Sequence, residues 1–288
     1  MNHDPTLKIL VIGCGGLGSE IIKLVIGMGY SPFIIDFDLV EVSNLNRQFY
    51  FTKDDTGQFK SKVIATKKLS NYKICKVEDL EPDFIDDFDV VFSCVDSISS
   101  RMELNYLFTK SKSKLLIDCG VEGTKTHIKK VVRDYVSHQI KSSCLYCIKE
   151  LFNTDETPYL CSLKNISSGI TSKNRDKMLL SLIFKQKESD FEGKTQSKCS
   201  LDYYGEIANN FNQLVPEDLK TNAFEVQGFV EKIIPNSCWV NSICASYALI
   251  LAFEDTNEDF FYFDGEFDLE LKKLKVEKDK NCFLCNNT

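Results

Sequence analysis

The sequence lacks an apolar run long enough to cross a bilayer. Its most apolar stretch near the C-terminus, Ile243 to Phe253, is 11 residues long and contains Ser246, against the ~20 that a spanning helix needs. No basic segment precedes the first apolar run in MNHDPTLKILVIG, so the start does not read as a cleavable secretory leader. A long block of like charge is also missing. The 35 Lys plus Arg stand against 42 Asp plus Glu, a formal net charge of −7, which gives a nucleic acid no electrostatic hold. No internal repeat or low-complexity tract is present. These absences predict an intracellular protein, cytoplasmic or nuclear, with neither membrane nor nucleic acid as partner. What is there is an ordinary globular composition: 288 residues, 43% of them apolar, enough for one large domain or two modest ones with a full core. Cysteine is plentiful at 12, and in a reducing compartment thiols are buried, catalytic or metal-bound rather than paired.

The N-terminal half alternates between strand and helix patterns. KILVIG (8–13) is a continuous apolar run ending at glycine, as suits a strand buried on both faces of a parallel sheet. GSEIIKLVIGMGY then repeats apolar residues at helical spacing, with Gly29 placed as a cap. PFIIDFD (32–38) reads as a strand, 57–71 as a helix with Val63, Ile64 and Leu69 inward, KICKVED (73–79) and DFDVVFSCVD (87–96) as strands, 101–110 as a helix and KLLIDCG (114–120) as a strand. This succession predicts an α/β, doubly wound, Rossmann-like open sheet. From about Ser162 to Thr221 the pattern turns polar, the mark of an insertion or a small, mostly helical domain, before 224–235, 237–253, 260–264 and 270–278 restore core-forming character.

Between the first strand and helix lies IGCGGLGSE, in which Gly13, Gly15 and Gly18 carry the GxGxxG spacing and Gly16 adds a fourth glycine. Glycine there lets backbone amides approach a phosphate at a helix N-terminus. Asp36, ending the second strand, is placed to accept hydrogen bonds from ribose hydroxyls. A nicotinamide enzyme would share these features, so the discriminating residues lie downstream. Asn44, Arg47 and Gln48 in DLVEVSNLNRQF, followed by Lys60, offer a clamp for a triphosphate and for the charge of departing pyrophosphate. Asp96, ending VVFSCVD, is placed to hold a magnesium ion that bridges phosphates.

The cysteines divide by spacing. Cys144 and Cys147 form CLYC, and Cys282 and Cys285 form CFLC. Two such knuckles make the four-thiolate set that zinc prefers. A redox CxxC in one pair, or four unconnected thiols, would have the same spacing. Cys161, in TPYLCSLKN, is either a nucleophile or a buried small apolar residue; Cys14, Cys75, Cys94, Cys119, Cys238 and Cys244 read as the latter.

The ordered strings GCGGLGSE, DFD, SNLNRQF, the Lys60 region and CVDS resemble the adenylation domain of the ubiquitin-like-modifier activating enzymes and their bacterial relatives in molybdopterin and thiamine biosynthesis. The resemblance implies ATP as substrate, with Gly13, Gly15, Gly16, Gly18, Asp36, Asn44, Arg47, Gln48 and Lys60 at the nucleotide, Arg47 and Lys60 acting in catalysis, and Asp96 serving Mg2+. It implies that Cys144, Cys147, Cys282 and Cys285 share one structural Zn2+, and that Cys161 accepts the modifier as a thioester. Ser162 stands where the family has threonine, and Leu160 where it has methionine or glycine. VQGFVEKIIPNSCWVNSICAS (226–246) resembles most the catalytic subunit of the Nedd/Rub-activating enzyme through Gln227, Gly228, Val230 and Lys232; Pro235 and Asn241 are shared with the SUMO-activating counterpart.

The expected organisation is thus an ATP-binding domain over 1–160 and 223–288, interrupted by a catalytic-cysteine insertion over 161–222. The implied partners are the modifier, a conjugating enzyme and a second, non-catalytic subunit of the same fold that makes the protein a heterodimer. The ubiquitin-fold domain through which such enzymes recruit a conjugating enzyme lies beyond Cys285 in the family, and whether a longer form of this chain carries one is left open. Rival readings are a nicotinamide-dependent dehydrogenase, a non-catalytic scaffold subunit and a sulfur-carrier adenylyltransferase.

Overall fold

In the computed structural model the described residues are 4, 6–134, 136–152, 201–213, 220, 222, 226, 238–254, 256–265 and 269–286. The chain divides into two compact units, 1–154 with 236–288, and 155–235. In the second, the described residues include helix α5 (Leu201–Asn212), with Ile207, Ala208 and Phe211 buried; Cys161 lies outside the described residues.

The first unit is built on an eight-stranded sheet of order β3-β2-β1-β4-β5-β6-β7-β8. Strands β1 (Ile9–Ile12), β2 (Phe33–Ile35), β3 (Tyr72–Lys73), β4 (Val90–Ser93) and β5 (Leu115–Glu122) are parallel. Strands β6 (Lys125–Val132), β7 (Phe260–Asp264) and β8 (Glu270–Leu274) continue the sheet antiparallel. The doubly wound expectation therefore holds for the parallel half and is extended by a meander that the βαβ pattern did not foresee. KTHIKKVV conceals β6, because its lysines interrupt the apolar run, and one of them, Lys129, is fully buried.

Both sheet faces are covered, and the strands show it residue by residue. Ile9, Val11, Ile34, Val90, Phe92, Leu115 and Ile117 join one core cluster with α1 (Gly16–Gly27), α2 (Lys60–Lys68) and α6 (Cys238–Phe253). Leu10, Ile12, Ile35, Val91 and Leu116 point the other way, to α3 (Pro82–Ile85), α4 (Ile98–Lys110) and the two cysteine pairs. Period-two alternation with apolar residues on both faces is the signature of a sheet sandwiched between helix layers. Helix α6 packs on α1 and across β5 and β6. Helix α4 starts earlier than its apolar pattern suggests, because Ser97 Oγ caps it by accepting the Ser100 N–H at 3.0 Å.

Three local expectations are corrected. KICKVED is not a strand throughout: β3 pairs with β2 over two residues at the sheet edge, and Val77–Asp79 forms a 3₁₀ turn that buries Val77. Leu69, expected to face inward, is 91% exposed, because it ends α2 as a left-handed cap with φ 55°. Cys238 is exposed at the start of α6 and Cys75 and Cys94 are half-buried, whereas Cys14, Cys119 and Cys244 are buried as expected.

Candidate functional site

β1 lies between β2 and β4, and the chain leaves β1 for one face of the sheet and β4 for the other. Such a switch point opens a crevice at the carboxyl ends of the strands, and the predicted residues gather around it. Gly13 has φ +95°, and a Cβ there would stand 2.5 Å from the Cys94 carbonyl oxygen that follows β4. Gly18 is required more strictly, since its Cβ would stand 1.8 Å from the Gly13 carbonyl oxygen. The loop is thus folded back on itself between two strand ends. Gly15 caps α1 without a side chain, which leaves the first-turn amides of the helix to an external acceptor.

Asp36 ends β2 beside this loop. Its carboxylate accepts the Cys14 N–H at 2.5 Å and the Asp38 N–H at 2.7 Å, and its carbonyl accepts Ser61 Oγ at 2.7 Å. Burial pushes the Asp36 carboxyl up, opposed by the charge of nearby Lys60 and by the Cys14 amide. Lys60 opens α2 and is itself buried; its Nζ pairs with Asp38 Oδ2 at 2.9 Å. Asn44 is buried and takes up the Glu41 N–H at 2.9 Å, closing a short 3₁₀ turn. Arg47 Nη1 donates to the Ser43 carbonyl and to Asn46 Oδ1, both at 3.0 Å. Gln48 is buried, and its Oε1 has no partner among the described residues. Asp96 is exposed on the turn between β4 and α4, where one carboxylate suits an ion that takes its remaining ligands from phosphates and water.

Beneath that turn is a network that reading the sequence missed. Asp118, fully buried on β5, accepts both its oxygens' bonds from Arg101 Nη1 at 2.8 Å, one from Ser93 Oγ at 2.6 Å and one from His127 Nε2 at 3.2 Å. Burial would raise this carboxyl, but Arg101, His127 and Ser93 outweigh it and hold it at about 2. Arg101 also donates to the Val95 carbonyl at 2.5 Å and the Cys119 carbonyl at 2.9 Å. One guanidinium therefore fastens the residue before Asp96 to β5. The available signal was a carboxylate at the end of the apolar run KLLID, the same placement that singled out Asp36.

The four knuckle cysteines meet, although they come from opposite ends of the unit. Their sulfurs all lie within 4.8 Å of one another, with Cys144–Cys147 at 3.9 Å, Cys144–Cys282 at 3.7 Å and Cys147–Cys285 at 3.5 Å. A tetrahedral zinc with Zn–S bonds of ~2.3 Å requires sulfurs about 3.8 Å apart, so the donor set fits that ion. Burial pushes the Cys144 thiol up to about 11, and the neighbouring thiols Cys147 and Cys282 add to the rise; a divalent cation would relieve that crowding. The polypeptide braces the same place. Lys278 Nζ donates to the Ile140 and Cys285 carbonyls at 2.5 and 3.0 Å, and Ser143 Oγ donates to the Val276 carbonyl at 2.9 Å. Lys129 Nζ pairs with Asp259 at 2.8 Å. Four thiolates leave no open position for substrate, so a metal here staples rather than reacts.

No helix among the described residues is long and apolar enough to cross a membrane. Residues 5–283 match the ThiF family. The chain is 27% identical to the NEDD8-activating enzyme E1 catalytic subunit of Arabidopsis thaliana, over 97% of this chain and 65% of that protein. With the subunit of the same name from Saccharomyces cerevisiae it shares 27% identity over 98% of each. SUMO-activating enzyme subunit 2 of Dictyostelium discoideum is 31% identical over 68% of this chain and 30% of its own length. The chain thus spans less than two thirds of the Arabidopsis relative. Among solved structures, E. coli MccB with ATP superposes with a TM-score of 0.57 at 14% identity, covering 98% of this chain and 67% of that one; this likeness concerns the fold alone.

Proposed function

The chain belongs to the ThiF family, and from that premise we propose that it is the catalytic subunit of an enzyme that activates a ubiquitin-like modifier, most closely the Nedd/Rub type. The observation that carries the reading is the convergence of the glycine loop, Asp36 and Lys60 at the β1–β4 switch point. The relatives' names give the chemistry its direction.

In this reading ATP binds with its phosphates at the amino end of α1 and its ribose on Asp36, while Asp96 would hold Mg2+, which neutralises phosphate charge. The modifier's C-terminal glycine carboxylate attacks the α-phosphorus; an acyl adenylate forms and pyrophosphate leaves. Arg47 and Lys60 stabilise the charge that develops on the departing group. The Cys161 thiolate then attacks the acyl carbon, AMP leaves, and a thioester forms that keeps the acyl group activated for a conjugating enzyme's cysteine. Cys144, Cys147, Cys282 and Cys285 would hold Zn2+ as a structural ion.

A second subunit of the same fold is supported by an exposed apolar patch. Phe37, Leu39, Val42, Phe49 and Phe59 are each between 38 and 49% exposed on the segment that carries Asn44 and Arg47, and a concentration of exposed apolar side chains suits burial against a partner. A SUMO-type modifier is the alternative, favoured by the 31% identity to a SUMO-activating subunit.

The test compares tagged wild type and Cys161→Ala by non-reducing intact mass after incubation with ATP–Mg in extract of the source cells, which supplies partner and modifier. A thiol-sensitive adduct of small-protein mass on the wild type alone is expected, and its mass identifies the modifier. No adduct on a folded wild type, or one that survives in Cys161→Ala, overturns the assignment.

A further inference from the structure

Asn241 is fully buried in the first turn of α6, yet neither its Nδ2 nor its Oδ1 has a hydrogen-bond partner among the described residues. A buried amide without partners destabilises the protein that carries it, so its presence calls for an explanation. Its surroundings supply one. The neighbouring Ser242 donates to Glu20 at 2.8 Å, fixing this turn of α6 against α1. The Asn241 amide then meets the opening of α1: a Cβ built on Gly16 would stand 2.6 Å from Asn241 Nδ2 and 3.8 Å from Arg47 Cγ. Gly16 belongs to the helix turn whose amides have no side-chain cap, and Gln48, next to Arg47, carries another buried unpartnered oxygen. The two unmet atoms of the Asn241 amide and an uncapped helix terminus thus belong to one corner of the crevice.

We propose that Asn241 is a phosphate-contacting residue, its Nδ2–H donating to the phosphate held at the amino end of α1. This rests on the nucleotide reading above and deepens it. In the structure the stem of Arg47 lies beside Gly16 and its guanidinium donates to the Ser43 carbonyl and Asn46. When the guanidinium exchanges those partners for phosphate, the stem moves and the amide gains its acceptor. A neutral donor suits this place, because a carboxylate would repel the polyanion that the helix terminus attracts.

The test uses Asn241→Leu, which preserves heavy-atom shape while removing both polar atoms, and Asn241→Asp. Titration calorimetry measures ATP–Mg and adenosine binding to the full chain, and melting is recorded without ligand. Loss of one hydrogen bond to a charged group predicts ATP–Mg affinity weakened about 10- to 100-fold in Asn241→Leu, and further in Asn241→Asp, with adenosine binding unchanged. Ligand-free Asn241→Leu should melt higher than wild type, since an unpaired amide has become apolar. A lower melting temperature would show the amide to be structural and overturn the proposal, as would undiminished ATP–Mg affinity or an equal loss for adenosine. A wild type that binds no ATP–Mg would sink the nucleotide reading itself, whereas binding unaffected by Asn241→Leu sinks this inference alone.

Discussion

Replacing Asp118 by Asn removes a charge from the centre of the buried network while keeping its shape. Arg101, with its side chain 8% exposed, would then lie buried opposite a neutral group, and breaking a buried ion pair from one side costs about 3–5 kcal/mol. The effect of pH has a definite sign. A carboxyl held at about 2 in the folded chain instead of 3.8 contributes stability that is complete above the unfolded value and is lost as pH falls through the folded one. That contribution is about 2 kcal/mol. The wild type therefore loses about 1 kcal/mol of it between pH 6 and pH 3 and about 2 by pH 2, while Asp118→Asn has none to lose. The gap between the two proteins should narrow by those amounts. Urea titrations at several pH values measure it through Trp239, the chain's single tryptophan, which packs edge-on against Phe263 in the same unit. The cysteine cluster is the same in both proteins and cancels in the difference. A gap below about 1 kcal/mol at pH 7, or one that does not change with pH, would refute the account.

The purified wild type is expected to hold one zinc per chain, and Cys285→Ser almost none; a strong chelator should lower the wild-type melting temperature by more than about 5 °C. Metal analysis and calorimetry decide it, and a metal-free wild type with unchanged melting would count against the site. Gly18→Ala, whose Cβ would stand 1.8 Å from the Gly13 carbonyl oxygen, should lose ATP–Mg binding in calorimetry, whereas Gly15→Ala, whose Cβ meets nothing within 4 Å, should lose no more than about 1 kcal/mol in urea, the cost of a poorer N-cap. Leu69→Gly relieves a left-handed cap on an exposed leucine and should raise stability by about 0.5–1 kcal/mol in the same titration; a decrease would show that the exposed side chain matters.

The parts of the fold legible in the sequence are those whose constraint is local. β1, β2, β4 and β5 are buried on both faces and therefore read as apolar runs, which end at Gly13, Asp36, Ser93 and Asp118. The glycine loop was legible for the same reason, since spacing alone shows where backbone must approach backbone. β6 was not, because its burial is uneven and Lys129 is made tolerable by Asp259, a partner far along the chain. Cys238 misled for a related reason: side-chain type gives no sign that a helix begins there at the surface. The site divides in the same way. Asp36 and Lys60 are positioned by elements that their own neighbours define, whereas Arg101, Asp118 and His127 act together only once α4, β5 and β6 have assembled. Cys161 lies outside the described residues, so its role stands on the resemblance alone.

The first unit is made of two stretches of chain, 1–154 and 236–288. They are joined by β6 pairing with β7, by α1 packing on α6 and by the meeting of the two cysteine pairs. Residues 155–235 are therefore, in polymer terms, a loop whose ends are already held together. The entropic cost of closing such a loop grows only with the logarithm of its length, about 0.6 kcal/mol for each doubling. An insertion at this point can lengthen, shorten or change its contents at little cost to the sheet that carries it.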